Sequence, residues 1–358
     1  MEIYIYGAGQ RGKMLYDRIK RSDAQICVKG FIDKYQKADN IVPIEVVGKE
    51  ENIVISLANE SLAYQVMEEL EGKGYKKIFW CGLLDNPVYS PEEFLEKECL
   101  RMQKRSVPVL RQVEMHISDK CNLNCVGCAH YSPIFNEIGA DYEQRMRDVK
   151  KFSELEVFVH RFYFLGGEPF LNPELGKYIV GVREILRETD LHIVTNGLLL
   201  LSVEDEVLET IADNNVTVSI SEYEPTHKLT DKIEQRLQSF FIKYNIRRYD
   251  RKQVFNKPLS LTPDSVHPKL CISNGCVNIW NGKISRCPAV MYIDKFNEVF
   301  HTNLPNEGVI NISDAPRGEE LLKFLKLEIP LCEYCVENPI PWGRCGEECK
   351  LEEFATED

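Results

Sequence analysis

Thirteen cysteines in 358 residues carry most of the chemistry that this sequence offers. Cys121, Cys125 and Cys128 stand as C-x3-C-x2-C, while Cys271, Cys276, Cys287, Cys332, Cys335, Cys345 and Cys349 crowd the last quarter. Cys27, Cys81 and Cys99 are scattered and read as buried thiols without chemistry. The chain opens MEIYIYGAG, with no basic start and apolar run of a signal peptide, so the expected compartment is the reducing cytoplasm. There a disulfide framework is disfavoured, and clustered cysteines point to metal binding or catalysis. Three thiolates on one tight loop can hold three corners of a cubic [4Fe–4S] cluster and leave one iron open. Structural zinc is normally closed by four protein ligands, and His130 stands too close along the loop to complete such a set.

The elements around these residues read as α/β. Residues 1–106 are expected to form a small Rossmann-like domain with a linker. Strand Ile3–Tyr6 runs into Gly7-Ala8-Gly9-Gln10-Arg11-Gly12, a helix follows, and strand Val28–Asp33 comes next. Gly7, Gly9 and Gly12 allow backbone N–H groups at the helix start to meet a phosphate. Asp33, 21 residues past Gly12, is placed to accept ribose hydroxyls. The bland alternative is a docking scaffold with no ligand. Pro87, Pro91, Pro108 and the basic stretch Arg101–Arg105 mark the linker.

Residues 107–260 alternate again, with strands Val113–Ile117, Arg161–Leu165, His192–Thr195 and Val216–Ile220. Helices Tyr142–Leu155, Glu174–Arg187, Val203–Asn214 and Leu229–Tyr244 are expected around them. The cysteine loop, Gly166-Gly167-Glu168-Pro169, Thr195-Asn196 and Ser221-Glu222 each follow a strand, where parallel α/β barrels build their sites. Residues 261–358 lose the alternation in favour of proline, glycine and seven cysteines, so bound metal is the expected staple.

The cysteine loop followed by Gly166-Gly167-Glu168-Pro169 resembles the radical S-adenosylmethionine (radical SAM) superfamily over roughly residues 110–355. The resemblance implies a partial (β/α)6 barrel in which Cys121, Cys125 and Cys128 hold the cluster, whose open iron binds S-adenosylmethionine. Reductive cleavage then yields a 5′-deoxyadenosyl radical, which abstracts hydrogen from substrate. Gly166, Gly167 and Glu168 would meet the methionyl amino group, and Ser219, Thr195 and Asn196 would line the same pocket. Gly127 stands where family members usually carry a hydrophobic or aromatic residue, so adenine contacts are expected from His130 and Tyr131. The last seven cysteines resemble a SPASM or shortened twitch extension carrying one or two auxiliary [4Fe–4S] clusters. Two fully cysteine-ligated clusters need eight ligands, and seven are present. Zinc at Cys332, Cys335, Cys345 and Cys349 is the non-redox alternative.

A formal charge of −12 argues against a nucleic-acid partner, and no run of residues is long and apolar enough for a membrane span. The expected activity is that of a radical SAM oxidoreductase or epimerase, served by an external donor such as flavodoxin or ferredoxin. The glycine turn and Phe31-Ile32-Asp33 resemble small nucleotide-binding domains attached to enzymes of surface-sugar biosynthesis. They favour a small-molecule substrate, a carbohydrate or nucleotide-linked glycan precursor, over a peptide or protein. A non-catalytic iron–sulfur scaffold is the remaining alternative.

Overall fold

Short apolar strands and amphipathic helices build two units in the computed structural model, Met1–Ser106 and Val107–Asp358. The structure describes residues 1–21, 25–57, 60–81, 100–102, 107–248, 254–256, 259–263 and 276–356. Cys99, Cys271, Pro87, Pro91 and most of the Arg101–Arg105 stretch therefore lie outside the described residues.

The first unit runs β1 (Glu2–Tyr6), helix Gln10–Arg21, β2 (Cys27–Ile32), β3 (Asn52–Ile55), helix Glu60–Gly72, β4 (Lys77–Trp80) and β5 (Leu100–Met102). The strand order is β2-β1-β3-β4-β5, with β1 to β4 parallel and β5 antiparallel to β4. Ile3 and Ile5 pack on Leu15 and Ile19, while Ile53, Ile55 and Trp80 pack on Met67 and Leu70. Both faces are thus covered, as a parallel sheet requires. The first helix lies hard against the glycine turn: a Cβ on Gly12 would stand 1.9 Å from the Gly7 carbonyl oxygen, whereas one on Gly9 would meet nothing nearer than 3.9 Å.

The second unit is built on β6 (Val109–Ser118), β7 (Phe158–Gly166), β8 (Asp190–Thr195), β9 (Thr217–Ser221) and β10 (Tyr244–Arg247). Helices Tyr142–Glu154, Leu175–Ile185, Asp205–Asp213 and Thr230–Ser239 fall between them. The segments β11 (Val254–Asn256) and β12 (Leu259–Ser260) follow, then β13 (Val277–Trp280), β14 (Lys283–Ser285), β15 (Val309–Asn311), β16 (Pro339–Pro341) and β17 (Ala355–Thr356). One sheet has the order β10-β9-β8-β7-β6-β13-β14-β15, parallel from β10 through β13. Its sixth parallel strand therefore comes from beyond residue 260 and sits beside β6. β11 pairs with β16 and β12 with β17, which ties residues 254–256 and 259–260 to residues 339–341 and 355–356.

The helices pack on one face of this sheet. Val113, Met115 and Ile117 of β6 join Phe162, Phe164, Leu191, Ile193, Val218 and Ile220 against Met146, Tyr178, Leu208 and Ile233. The helix expected over Leu229–Tyr244 ends at Ser239, because Phe241 adopts a left-handed conformation with φ 56°. Tyr244–Arg247 then becomes a strand that pairs with β9 and buries Ile246.

The glycine geometry gives a direct comparison. Gly12→Ala should destabilise the protein by about 1–3 kcal/mol through overpacking against Gly7, while Gly9→Ala should change little. Urea unfolding of the two variants checks this, and equal midpoints would contradict the close contact.

Candidate functional site

Two strand ends meet where the cysteine loop begins. Gly167 N–H donates to the Ser118 carbonyl at 2.7 Å, and Glu168 N–H donates to that of Lys120 at 3.0 Å. There is no room for side chains at this crossing. A Cβ at Gly166, where φ is 135°, would stand 2.0 Å from the Ser118 oxygen, and one at Gly167 would stand 2.1 Å from that of Lys120. The two glycines thus bring the end of β7 against the backbone that launches Cys121.

Glu168 is fully buried at this junction. Its Oε1 accepts from Thr195 Oγ1 at 2.7 Å and from Phe170 N–H at 3.2 Å, and its Oε2 accepts from Asn196 N–H at 2.9 Å. Burial pushes its carboxyl up to about 7 against those three donors. Two oxygens offer about four acceptor positions, so Oε2 keeps one for a ligand. Asn196 Nδ2 reaches Asn122 Oδ1 at 2.7 Å and Cys121 Sγ at 3.8 Å, which links the end of β8 to the loop. The sequence-predicted residues Gly166, Gly167, Glu168, Thr195 and Asn196 are therefore gathered around Cys121. Ser219 lies further down β9, where its hydroxyl accepts from Asn245 Nδ2 at 3.0 Å.

The three loop thiols suit a cluster-binding role. Burial, then Glu168 and Cys128, raises Cys121 to about 11, and burial, then Cys128 and Cys121, raises Cys125 to about 12. Such burial disfavours bare thiolates, so bound metal would have to stabilise them. Leu123 N–H points at Cys121 Sγ at 3.4 Å, and Trp342 Nε1–H points at Cys125 Sγ at 3.2 Å. N–H groups aimed at sulfur are what a thiolate-held iron–sulfur cluster calls for. A side chain at Gly127 would meet the Asn256 carbonyl oxygen at 2.9 Å, which accounts for glycine there.

Sequence reasoning missed the far wall of this loop. Val126 N–H donates to Gly343 at 3.0 Å, Cys345 N–H to Asn124 at 2.8 Å, and Gly127 N–H to the Glu353 carbonyl at 2.9 Å. Arg344 Nε donates to the Leu123 carbonyl at 2.8 Å. Trp342 stacks near Tyr223, with ring centroids 5.3 Å apart. Only the cysteines flanking this segment hinted at it, because neither Trp342 nor Arg344 belongs to a motif.

The C-terminal thiols fall in different places. Cys287, Cys345 and Cys349 pack around the same apolar cluster as Tyr131 and Cys128. Cys335 pairs with Leu259 in a β-bridge, and Cys332 starts the turn that reaches it. Cys276 stands apart from these at the start of β13, 3.2 Å from Gln112 Nε2. His130 and Tyr131 follow the loop into the interior. His130 Nδ1 meets His116 Nε2 at 2.6 Å, and His116 Nδ1 meets Asp119 Oδ1 at 2.9 Å. A carboxylate only accepts, so the network assigns hydrogens to His116 Nδ1 and His130 Nδ1. Burial holds His116 below its ordinary value and hence neutral, with Asp119 opposing.

The face of the main sheet turned away from its main helical layer carries a polar row, and Tyr292 stacks on His116 of that face at 4.3 Å. Successive register partners are Asn278, Glu114, Tyr163 and His192. The row continues from His192 Nδ1 to Ser219 Oγ at 3.3 Å and on to Asn245. Six parallel strands thus present six polar side chains where parallel sheets ordinarily bury apolar ones. Burial raises Glu114 to about 7.

In the first unit, Asp33 turns back into the glycine loop. Its Oδ2 accepts from Ala8 N–H at 2.8 Å, and its Oδ1 accepts from Tyr35 and Gln36 N–H, each at 2.9 Å. Burial alone would raise this carboxyl, but the three donors hold it below its ordinary value. Ala8 N–H is thereby committed to Asp33 and not turned to a phosphate. A cavity of about 510 Å³ opens beside Asp33 on the other face of the sheet, lined by Tyr6, Lys34, Lys37, Leu70 and Lys73 among others.

Residues 115–242 match the family described as the radical SAM superfamily. GTP 3′,8-cyclase of Xanthomonas axonopodis pv. citri (strain 306) is 30% identical over 132 residues, which cover 35% of this chain and 38% of that protein. The chain thus spans little more than a third of the length of such curated relatives. Among solved structures, BtrN in complex with AdoMet and 2-DOIA is 15% identical with a TM-score of 0.38, covering 65% of this chain and 94% of that one. Streptococcus suis SuiB bound to S-adenosylmethionine is 18% identical with a TM-score of 0.33, covering 41% of this chain and 36% of that one.

The strand crossing is open to test. Gly167→Ala must displace Lys120 and Cys121, at a cost of about 1–3 kcal/mol. Anaerobic reconstitution should then load fewer irons per chain than the parent. Unchanged iron loading would mean that the loop does not depend on this contact.

Proposed function

Because residues 115–242 match the radical SAM superfamily, we propose that the chain holds a [4Fe–4S] cluster on Cys121, Cys125 and Cys128 and oxidises or epimerises a carbohydrate or nucleotide-linked sugar. When bound, the cluster and S-adenosylmethionine supply a 5′-deoxyadenosyl radical able to take a hydrogen atom from a C–H bond. In this reading Glu168 receives the methionyl ammonium on the free acceptor position of Oε2. Thr195 and Asn196 keep the carboxylate aimed by occupying its other positions. His130 and Tyr131 contribute near the adenine. The C-terminal cysteines hold auxiliary metal, and a flavodoxin or ferredoxin supplies electrons.

The polar row from Asn278 to Asn245 is the observation that carries the substrate class. Amide, carboxyl, phenol, imidazole and hydroxyl groups in one line suit the alternating donors and acceptors of a polyhydroxylated molecule.

Two measurements follow. Burial pushes the Glu168 carboxyl up to about 7, so lowering the pH through that range should protonate it and weaken S-adenosylmethionine binding. Calorimetry of the reconstituted protein should show proton release on binding at pH 7. Glu168→Gln should bind roughly ten- to a hundredfold more weakly, with no such release. Affinity independent of pH in the parent would contradict the assignment.

Reduced, reconstituted protein given S-adenosylmethionine should form 5′-deoxyadenosine, and a nucleotide-linked sugar from a panel should accelerate it. Stimulation by peptides alone would overturn the substrate class, and no 5′-deoxyadenosine from a cluster-loaded sample would leave a non-catalytic scaffold.

A further inference from the structure

The seven cysteines of the last quarter leave a ligand missing from any pair of fully closed clusters, and the fold places a carboxylate among them. Cys345, Cys349 and Glu353 bring two Sγ atoms and one carboxylate oxygen within 4.8 Å of one another. The spacing of four residues at each step would be helical, but this segment is a loop ending in the short turn Leu351–Glu353. The convergence therefore comes from backbone hydrogen bonds. Glu353 Oε1 accepts from Gly346 N–H at 3.2 Å, and Oε2 accepts from Lys350 N–H at 2.7 Å. Both donors belong to the Cys345–Cys349 loop or its edge, and they fold the carboxylate over the two thiols. Each oxygen retains a further acceptor position beyond the one spent on an N–H.

The surroundings make a simple surface acid a poor description. Glu353 is half-buried, and its own carbonyl receives Gly127 N–H at 2.9 Å, between Cys125 and Cys128. Cys345 is packed into the apolar cluster that contains Cys128 and Tyr131. Burial first, then the neighbouring Cys349 and Glu353, push the Cys345 thiol upward. Among the described residues no ion pair of Glu353 with a lysine or arginine is recorded, so two thiols and a carboxylate converge without a paired cation. Thiolate and carboxylate together are a donor set for borderline transition metals: zinc binds both at about 2.0–2.3 Å in a tetrahedral arrangement.

We propose that Glu353 is a metal ligand, binding through its carboxylate alongside Cys345 and Cys349. This rests on reading the C-terminal thiols as a metal-binding set and deepens it by naming a ligand that the cysteine pattern does not contain. The shared chemistry is thiolate–carboxylate ligation, whether the metal is a single zinc ion or an iron of an auxiliary cluster. The short turn uses the same carboxylate as a cap, so the site and the loop's backbone fold together.

The test uses the full chain with Cys121, Cys125 and Cys128 replaced by alanine, so that bound metal reports the C-terminal set alone. Parent, Glu353→Gln, Glu353→Asp and Glu353→Cys are purified anaerobically and reconstituted with iron and sulfide or with zinc. Metal per chain, retention against a chelator and the electron paramagnetic resonance of the reduced protein are then recorded. Glu353→Gln should release its metal roughly ten- to a hundredfold more readily. Glu353→Asp should restore part of the retention, and Glu353→Cys should restore it fully with a shifted spectrum. Loss from the zinc-loaded sample with unchanged iron signals identifies a single-ion site, and a changed iron signal identifies a cluster ligand. Either outcome supports Glu353 as ligand. Identical metal content, chelator resistance and spectra in all four proteins would overturn it. Circular dichroism guards against misfolding, because a cap lost without metal loss lowers the unfolding midpoint and leaves the spectra unmoved. Formation of 5′-deoxyadenosine by chains with the Cys121–Cys128 loop intact is scored separately, so failure here does not count against the proposed activity.

Discussion

The contact on which the site depends is the side-chain-free crossing of Gly166-Gly167 over Ser118–Cys121. Gly166 and Gly167 let the end of β7 run against the backbone that follows β6 with no side chain between, and there Gly167 N–H donates to the Ser118 carbonyl and Glu168 N–H to that of Lys120. Everything polar then follows in order. Glu168 is turned inward by its own backbone bond to Lys120, Thr195 and Asn196 satisfy it from the next strand, and Asn196 reaches back to Asn122 and Cys121. A buried carboxyl costs several kcal/mol unless it is met by donors, and three meet this one.

A loop with three cysteines cannot supply a hydrophobic core of its own, and the far end of the chain does that work. β13 pairs with β6, so residues beyond 260 join the main sheet at the strand that leads into the cysteine loop. Arg145, wholly buried, fastens the same region by bonding the His116 carbonyl and Asn281. The segment from Trp342 to Cys349 then lies over the loop and donates or accepts along its backbone. Cys128 of the loop and Cys287, Cys345 and Cys349 of the last quarter thus share one apolar cluster around Tyr131.

The first unit shows how a motif and its geometry can differ. The strand, glycine turn, helix and second strand all form, and Gly12 is required by its approach to Gly7. Yet Asp33 closes the turn on itself by accepting Ala8 N–H, and the open volume lies on the opposite face between the β2 loop and the second helix. A carboxylate so placed stabilises the turn by about 1 kcal/mol per hydrogen bond and retains little capacity for a ribose.

Local pattern in the sequence was enough for the elements whose residues interact with near neighbours. Periodicity marked the strands β1, β2 and β6 to β9 and the helices between them, because burial on one face requires it. Cysteine spacing marked the loop after β6, and Gly-Gly-Glu marked the buried acid at the next strand end. Only the tertiary structure decided which distant groups meet. Tyr244–Arg247 became a strand because β9 offered an unpaired edge, and β13 took its place by pairing with a strand some 160 residues earlier. Trp342, Arg344 and Glu353 reach the thiols through a chain reversal that no local spacing encodes. The polar row from Asn278 to Asn245 is likewise invisible in any one strand, since each contributes a single residue and only the assembled sheet brings them together.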